Sequence, residues 1–314
     1  YTHYHSIFAR ASGAQRDADL DTLRAQSTPT DPLHQPLPFT MEELLAPCAG
    51  WAATSAPGPD GITYRHLKTI LSDPTLAQSI LQMMNRALIQ GRVPAPWLHS
   101  VTTILPKIPR PLNWSHTRPI TLTNTLGKWL SQMLLRRIPS LQPRHAPQFA
   151  SKGRTALQAA ALLRRLIQKV VEWDEAMLLL KIDIRKAFDS SQQPALGRLL
   201  CQSLQNNQPR ETNLFLDMLQ TDQLTIQFLG ESIPVPQTNG VRQGSPESPV
   251  IFAAAIAQCT PPNPPCNELP AAGLEFMDDA YIWASNTSTL QSLTNAFLQP
   301  LHRLGLQVLS LIHI

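Results

Sequence analysis

Met177-Leu178-Leu179-Leu180-Lys181-Ile182-Asp183 is the stretch on which the fold turns. The apolar run is short and lies between acidic residues, so a buried strand fits it better than a helix. Asp183 ends that strand, where a sheet holds a side chain rigidly. Farther along, Leu274-Glu275-Phe276-Met277 and Ala280-Tyr281-Ile282-Trp283-Ala284 read as the arms of a hairpin with Asp278-Asp279 at its tip. Leu224-Thr225-Ile226-Gln227-Phe228-Leu229 suits one strand of another hairpin, with Gly230-Glu231 as its turn.

Between these strands the helical signals are explicit. Thr40 with Glu43 predicts a capping box, and Asp73-Pro74 predicts an N-cap followed by proline in the first turn. The second helix carries Ile80, Leu81, Met84, Ala87 and Leu88 on one face and stops at Gly91. Thr123 or Asn124 caps a helix with Leu126, Trp129, Leu130, Met133 and Leu134 on one side. From Leu157 onward, Leu163, Leu166, Ile167, Val170 and Val171 form an apolar stripe expected in the core, opposite Arg164, Arg165, Gln168 and Lys169. Helices mixed with antiparallel hairpins give an α+β class. Residues 1–39, Pro-rich toward their end, read as a linker-like extension that buries little.

The aspartates suit divalent cations, because Mg²⁺ is a hard ion that takes oxygen ligands. Taken singly they are weak signals: chance alone yields roughly 0.5 Asp-Asp pairs in a chain of this composition. Asp at a hairpin tip is also ordinary turn chemistry.

Their order among other motifs is far more specific. Lys181-Ile182-Asp183-Ile184-Arg185-Lys186-Ala187-Phe188-Asp189 resembles the first palm motif of reverse transcriptases, D-x-x-K-A-F-D. Asn239-Gly240-Val241-Arg242-Gln243-Gly244-Ser245-Pro246 with Ser248-Pro249 resembles the second, and Phe276-Met277-Asp278-Asp279 the third. Upstream, Pro57-Gly58-Pro59-Asp60-Gly61-Ile62 resembles a signature of the non-LTR (LINE-type) retrotransposon group. Ile104-Leu105-Pro106-Lys107 and Arg118-Pro119-Ile120-Thr121-Leu122 resemble its finger motifs. Gln148-Phe149 with Gly153-Arg154-Thr155 resembles the segment that follows them.

The resemblance implies a right-hand polymerase palm, a small antiparallel sheet backed by helices, with mainly helical fingers and the thumb missing. Its divisions would be an N-terminal extension over 1–39, fingers over 40–176 and palm over 177–308. It further implies an RNA-directed DNA polymerase that takes an RNA template, a DNA primer and deoxynucleoside triphosphates. Two Mg²⁺ ions, with Mn²⁺ as substitute, would be held by Asp183 and Asp278, by Asp279 more weakly, and by the carbonyl of Ile184. Lys107 and Arg118 would clamp the triphosphate, Arg118 through its bidentate fork. Phe188 would act as a steric gate against a 2′-hydroxyl, and Gln243 and Gly244 would lie under the nascent base pair. Arg154 and Arg164, in a basic stretch with Arg144, His145, Lys152, Arg165 and Lys169, would meet the template backbone. Asp189 is assigned a hydrogen-bonding or capping role instead of a metal. Pro57-Gly58-Pro59-Asp60-Gly61 would fix the finger geometry without touching substrate.

The bulk numbers agree without deciding anything. The chain has 314 residues, 43% hydrophobic and 6% aromatic, with net charge +4 and a pI near 9.0. That mild basic excess suits a polyanionic partner and an ordinary enzyme equally. Cys48, Cys201, Cys259 and Cys266 lack CxxC spacing, which argues against a zinc knuckle or a disulfide framework. Reduced thiols, an intracellular and nuclear location and no membrane span are the expectations. Tyr1 in place of Met suggests a fragment. Leu309-Ser310-Leu311-Ile312-His313-Ile314 resembles a translated sequencing adaptor, so 309–314 is expected to be a non-native tail. Pro261-Pro262-Asn263-Pro264-Pro265 is expected to end the preceding helix early. The rival readings are a group II intron maturase-like reverse transcriptase and a decayed fragment that at most binds RNA.

Overall fold

In the computed structural model, which describes residues 2–10, 12–27, 36–141, 148–151, 153–204, 208–220, 223–228, 230–260 and 272–313, the caps at Thr40 and Asp73 operate as written. Helices α1 (Thr2–Phe8), α2 (Gly13–Gln26), α3 (Met41–Leu45), α4 (Tyr64–Leu71), α5 (Pro74–Gln90) and α6 (Ala95–Leu98) precede strands β1 (Ser100–Pro106) and β2 (Thr117–Thr123). Helices α7 (Thr125–Arg137) and α8 (Ala156–Glu172) lead to β3 (Leu178–Ile184). Next come α9 (Ala187–Ser190), α10 (Gln193–Leu204), α11 (Pro209–Leu219), β4 (Gln223–Phe228), β5 (Glu231–Pro236) and α12 (Glu247–Ala257). Last are β6 (Ala272–Phe276), β7 (Asp279–Ala284), α13 (Thr287–Arg303) and β8 (Val308–His313).

Thr40 and Glu43 exchange both capping-box hydrogen bonds, at 3.2 and 2.9 Å. Asp73 accepts the amides of Thr75 and Leu76, and Gly91 closes α5 at φ +60°. Asn124 stands at the N-cap of α7 but caps nothing with its side chain. Its amide serves the Pro57–Gly61 turn instead: its carbonyl accepts the Asp60 N–H at 3.1 Å, and its nitrogen donates to the Pro96 carbonyl at 2.6 Å. That turn is therefore pinned to α6 and α7, a contribution to finger geometry.

Two four-stranded sheets organise the chain. The first, in order β6-β7-β3-β8, is antiparallel throughout and sets Asp183 opposite Asp279. Its strands alternate as period-two patterning requires. Leu180, Ile182, Ala280 and Ile282 pack against Phe252 and Ile256 of α12 and Leu290, Phe297 and Leu301 of α13. On the other face Leu179, Leu274 and Trp283 meet Ala159 of α8.

The second sheet, β2-β1-β4-β5, adds two strands to fingers that are otherwise helical, as expected. It joins the β1–β2 hairpin to the β4–β5 hairpin through a parallel pairing of Val101–Thr103 with Thr225–Gln227. Expected finger and palm segments also share one core, in which Leu44, Trp129 and Met84 lie with Leu196, Leu214, Phe215 and Ile251. The divisions drawn at residues 40–176 and 177–308 therefore do not correspond to separate packing units.

Residues 1–39 are not the linker the prolines suggested. Tyr4, Ile7 and Phe8 of α1 pack on Leu224, Ile226 and Val235 of the second sheet. From α2, Leu20 and Leu23 enter the main core, each burial contributing roughly 1.5–3 kcal/mol. Arg24 reaches Asp217 of α11 at 2.7 Å, both side chains buried. Pro29 and Pro32 fall outside the described residues, and the helices before them are stabilised by partners remote in sequence.

The apolar stripe of α8 is only partly core. Leu163 and Leu166 reach the first sheet, whereas Leu157 and Val171 are 79% and 75% exposed. One narrow face of this helix meets the sheet. Residues 308–313, which overlap the expected non-native tail, form the edge strand β8 against β3, with a bulge between Asp183 and Ile184. Helix α12 ends at Ala257, and the proline run from 261 lies outside the described residues. Among the described residues no helix is long and apolar enough to cross a membrane.

Candidate active site

Strand β3 delivers Asp183 and Ile184 to a cavity of about 530 Å³, and the β6–β7 turn delivers Asp278 to the same cavity. Phe276 pairs with Asp279, so Met277 and Asp278 form a two-residue turn, with Met277 in the left-handed region at φ +57°. Half-burial raises the Asp278 carboxyl above its ordinary range, and the neighbouring charges of Asp279 and Asp183 push the same way. Asp279 begins β7 and is held by Lys181 at 3.0 Å. It does not line the cavity.

A second part of the lining comes from the second sheet. Lys107 follows β1 and Arg118 lies on β2, and both line the cavity. The Lys107 amide donates to the His116 carbonyl at 2.7 Å, which closes the end of the β1–β2 hairpin. Without the motif these two cations read as loop charges; the hairpin is what turns them to one side.

The loop over 239–246 joins the walls. The Thr121 amide of β2 donates to the Gln243 carbonyl at 2.6 Å. Gly244 sits at φ +118°, and a Cβ there would lie 2.4 Å from the Thr121 carbonyl oxygen. Close approach is thus its requirement here, toward β2 itself. A Cβ on Gly240 would lie 2.6 Å from the Phe188 carbonyl oxygen. Arg242, fully buried, anchors the loop through Glu247 at 3.3 Å and the carbonyls of Leu98 and Met218.

Gln243 spends its amide on Asp189, donating to Oδ1 at 2.7 Å. Asp189 is 5% exposed, and burial pushes its carboxyl up to about 6 against the pull of that hydrogen bond. Phe188 lines the cavity and also stacks on Phe252, with ring centroids 4.6 Å apart. It is a core residue and a wall residue at once.

Sequence reading missed the third wall. His3, Tyr4 and Ile7 of α1 line the cavity. Tyr4 shares a 2.5 Å hydrogen bond with Thr117, and His3 lies 3.4 Å from the Lys186 ammonium. A seven-residue helix carries little periodic signal, so nothing local marks it.

The two residues expected at the template part company. Arg164 is exposed on α8. Arg154 turns inward, donating to the Gln148 carbonyl at 3.3 Å and covering the Phe149 ring at 5.1 Å. Its guanidinium is drawn to that ring and carbonyl because Phe149 pairs with the edge of β6 directly beneath it. Arg144, His145 and Lys152 lie outside the described residues.

Among the described residues no group of three or more His, Cys, Asp or Glu side chains is assembled that could hold an ion. Two carboxylates, Asp183 and Asp278, nevertheless share the cavity, and Asp278 is held there under repulsion from its acidic neighbours. This donor set fits a hard divalent cation that completes its shell with water and phosphate oxygens.

The sequence profile of the reverse transcriptase (RNA-dependent DNA polymerase) family matches residues 106–310. The chain is 28% identical over 289 residues to the retrovirus-related Pol polyprotein from type-1 retrotransposable element R2 of Popillia japonica, covering 84% of this chain and 38% of that protein. It is 25% identical over 274 residues to the Pol polyprotein from type-2 element R2DM of Drosophila melanogaster, covering 81% of this chain and 24% of that protein. The chain thus spans well under half the length of these relatives. In fold it resembles apo telomerase from Candida tropicalis, with a TM-score of 0.53 and 12% identity over 71% of this chain and 44% of that one. The profile spans Lys107, Arg118, Asp183 and Asp278 of the cavity, and the chain belongs to the reverse transcriptase (RNA-dependent DNA polymerase) family, as a relative of the non-LTR R2 retrotransposable elements.

Proposed function

We propose that this chain carries the nucleotidyl-transfer site of a non-LTR retrotransposon's RNA-directed DNA polymerase, adding deoxynucleotides to a DNA primer on an RNA template. The observation that carries the reading is a single cavity lined by Asp183 and Asp278 together with Lys107 and Arg118. A triphosphate needs both: cations for its terminal oxygens, and carboxylates for the metal ions that accompany it. Two Mg²⁺ or Mn²⁺ ions held by Asp183, Asp278 and the Ile184 carbonyl would make the primer 3′-hydroxyl more acidic and neutralise the leaving pyrophosphate.

The remaining roles belong to the chain itself. Arg118 and Lys107 orient the triphosphate, Arg118 through two parallel N–H donors. Phe188, fixed by Phe252, crowds the position of a 2′-hydroxyl. Gln243 braces Asp189 and so holds the floor on which the base pair rests. Asp279 stays with Lys181 and contributes charge to the site in preference to a ligand. Arg164 tracks the template backbone from the exposed side of α8. A second structure of Candida tropicalis telomerase, in complex with a fragment of telomeric RNA and similar in fold at a TM-score of 0.52 and 13% identity, supports an RNA partner at the level of fold.

Primer extension on an RNA template tests the reading. Asp183→Asn keeps the side chain's size and removes its charge, so extension falls by about 10³-fold while template affinity stays at the parent's value. Unchanged extension by Asp183→Asn refutes the assignment, and RNA binding by a parent that never extends a primer supports the decayed remnant instead.

A further inference from the structure

The Met277–Asp278 turn hangs from one buried side chain. Gln148 is 0% exposed, and its Oε1 accepts the Met277 N–H at 3.0 Å. The same oxygen accepts the Ala150 N–H at 3.0 Å, which bends the Gln148 segment around its own amide. Its Nε2 donates to Glu275 Oε2 at 3.4 Å, and the other Glu275 oxygen accepts from Thr260. The backbones are joined as well, since the Phe149 N–H donates to the Glu275 carbonyl at 2.7 Å. Arg154 closes the assembly by donating to the Gln148 carbonyl.

Met277 needs such a support. A non-glycine residue in the left-handed region is disfavoured, and its amide finds its acceptor in the Gln148 side chain. Water could satisfy that amide in a looser turn, but then Asp278, the next residue, would have no fixed direction. On the polymerase reading above, we propose that Gln148 is a positioning residue: its side-chain carbonyl fixes the Met277 amide and thereby aims the Asp278 carboxylate at the cation site. It touches neither nucleotide nor template, and its chemistry is that of an outer-shell partner orienting a metal ligand.

Gln148→Met tests this, because it keeps the volume and removes the acceptor. Amide exchange at Met277 is expected to accelerate, and Mn²⁺ titrated alone and followed by electron paramagnetic resonance is expected to bind about 10-fold more weakly. Primer extension is expected to lose about 10–100-fold in kcat, with the KM for deoxynucleotide near the parent's. The swap Gln148→Glu with Glu275→Gln re-creates an amide–carboxylate pair with an oxygen for Met277, so it recovers protected exchange and Mn²⁺ binding. Unchanged Met277 exchange or Mn²⁺ affinity in Gln148→Met overturns the proposal. So does a swap that recovers thermal stability but not Mn²⁺ affinity, which is the mark of mere packing. A parent that extends no primer defeats the polymerase reading instead, and the exchange and Mn²⁺ measurements still decide the role of Gln148.

Discussion

The two sheets were built by different rules. The first, β6-β7-β3-β8, is antiparallel and carries the carboxylates, and its β6–β7 hairpin is closed by a two-residue turn. The second, β2-β1-β4-β5, carries the cations and depends on a parallel pairing between residues near 102 and 226. The first sets a rigid acidic edge and the second a basic one, and residues of both line the cavity with those of α1. Charge of each sign is therefore fixed by its own scaffold, and the two scaffolds should fail differently when altered.

The largest difference is expected between Asp278→Asn and Arg118→Ala. The first should cut kcat by about 10³-fold with little change in nucleotide KM, since the carboxylate serves the reacting atoms. The second should mainly raise KM, by roughly 10-fold, as loss of one charge-assisted contact requires. Steady-state extension with each variant checks the contrast, and matching kcat losses would dissolve it.

A pH experiment probes the seam between the sheets. The Asp189 carboxyl lies near 6 in the folded chain against an ordinary 3.8, because burial penalises its charge. The folded state therefore holds more protons than the unfolded state between those values, and stability falls as pH rises through that window. Asp189→Asn keeps an acceptor for Gln243 and cannot ionise. It should gain on the parent by about 2–3 kcal/mol above pH 6 and little below pH 4, as read by chemical denaturation at both. An equal gap at both pH values would place the carboxylate in water.

Phe188→Val sharpens the comparison at the hinge between the sheets. Removing the ring should relax discrimination against ribonucleotides by about 10-fold, in competition assays with paired nucleotides. Full discrimination in the variant would leave Phe188 as core alone. Smallest is Arg164→Ala on α8, away from both edges. It should lower the slope of log affinity against log salt by about 0.7–0.9 for RNA while leaving extension at saturating template unchanged.

What could be read in advance follows the same division. Capped helices at Thr40 and Asp73 and the hairpin around Asp278 depend on neighbours within a few residues, so their signals sit together in sequence. The carboxylates gained meaning only from their order among motifs. The finger-side sheet stayed hidden because β1 finds β4 across more than a hundred intervening residues, and no local pattern encodes such a pairing. Helices α1 and α2 stayed hidden for a related reason. Arg16 and Arg24 look like surface charges, yet Arg16 donates to the Gln237 carbonyl at 2.8 Å and Arg24 meets Asp217. Glu275 gave no hint either: burial lifts it to about 7, a consequence of Gln148 and Phe149 closing over it.

The docking of α1 sets a timetable for synthesis on the ribosome. Its last residue, Phe8, offers a carbonyl to the amides of Thr238 and Asn239, so this helix has no seat until some 230 residues later. At ordinary elongation rates that interval is roughly 10–50 s, during which Tyr4, Ile7 and Phe8 have no strand to cover. The cavity gains its third wall only after that interval.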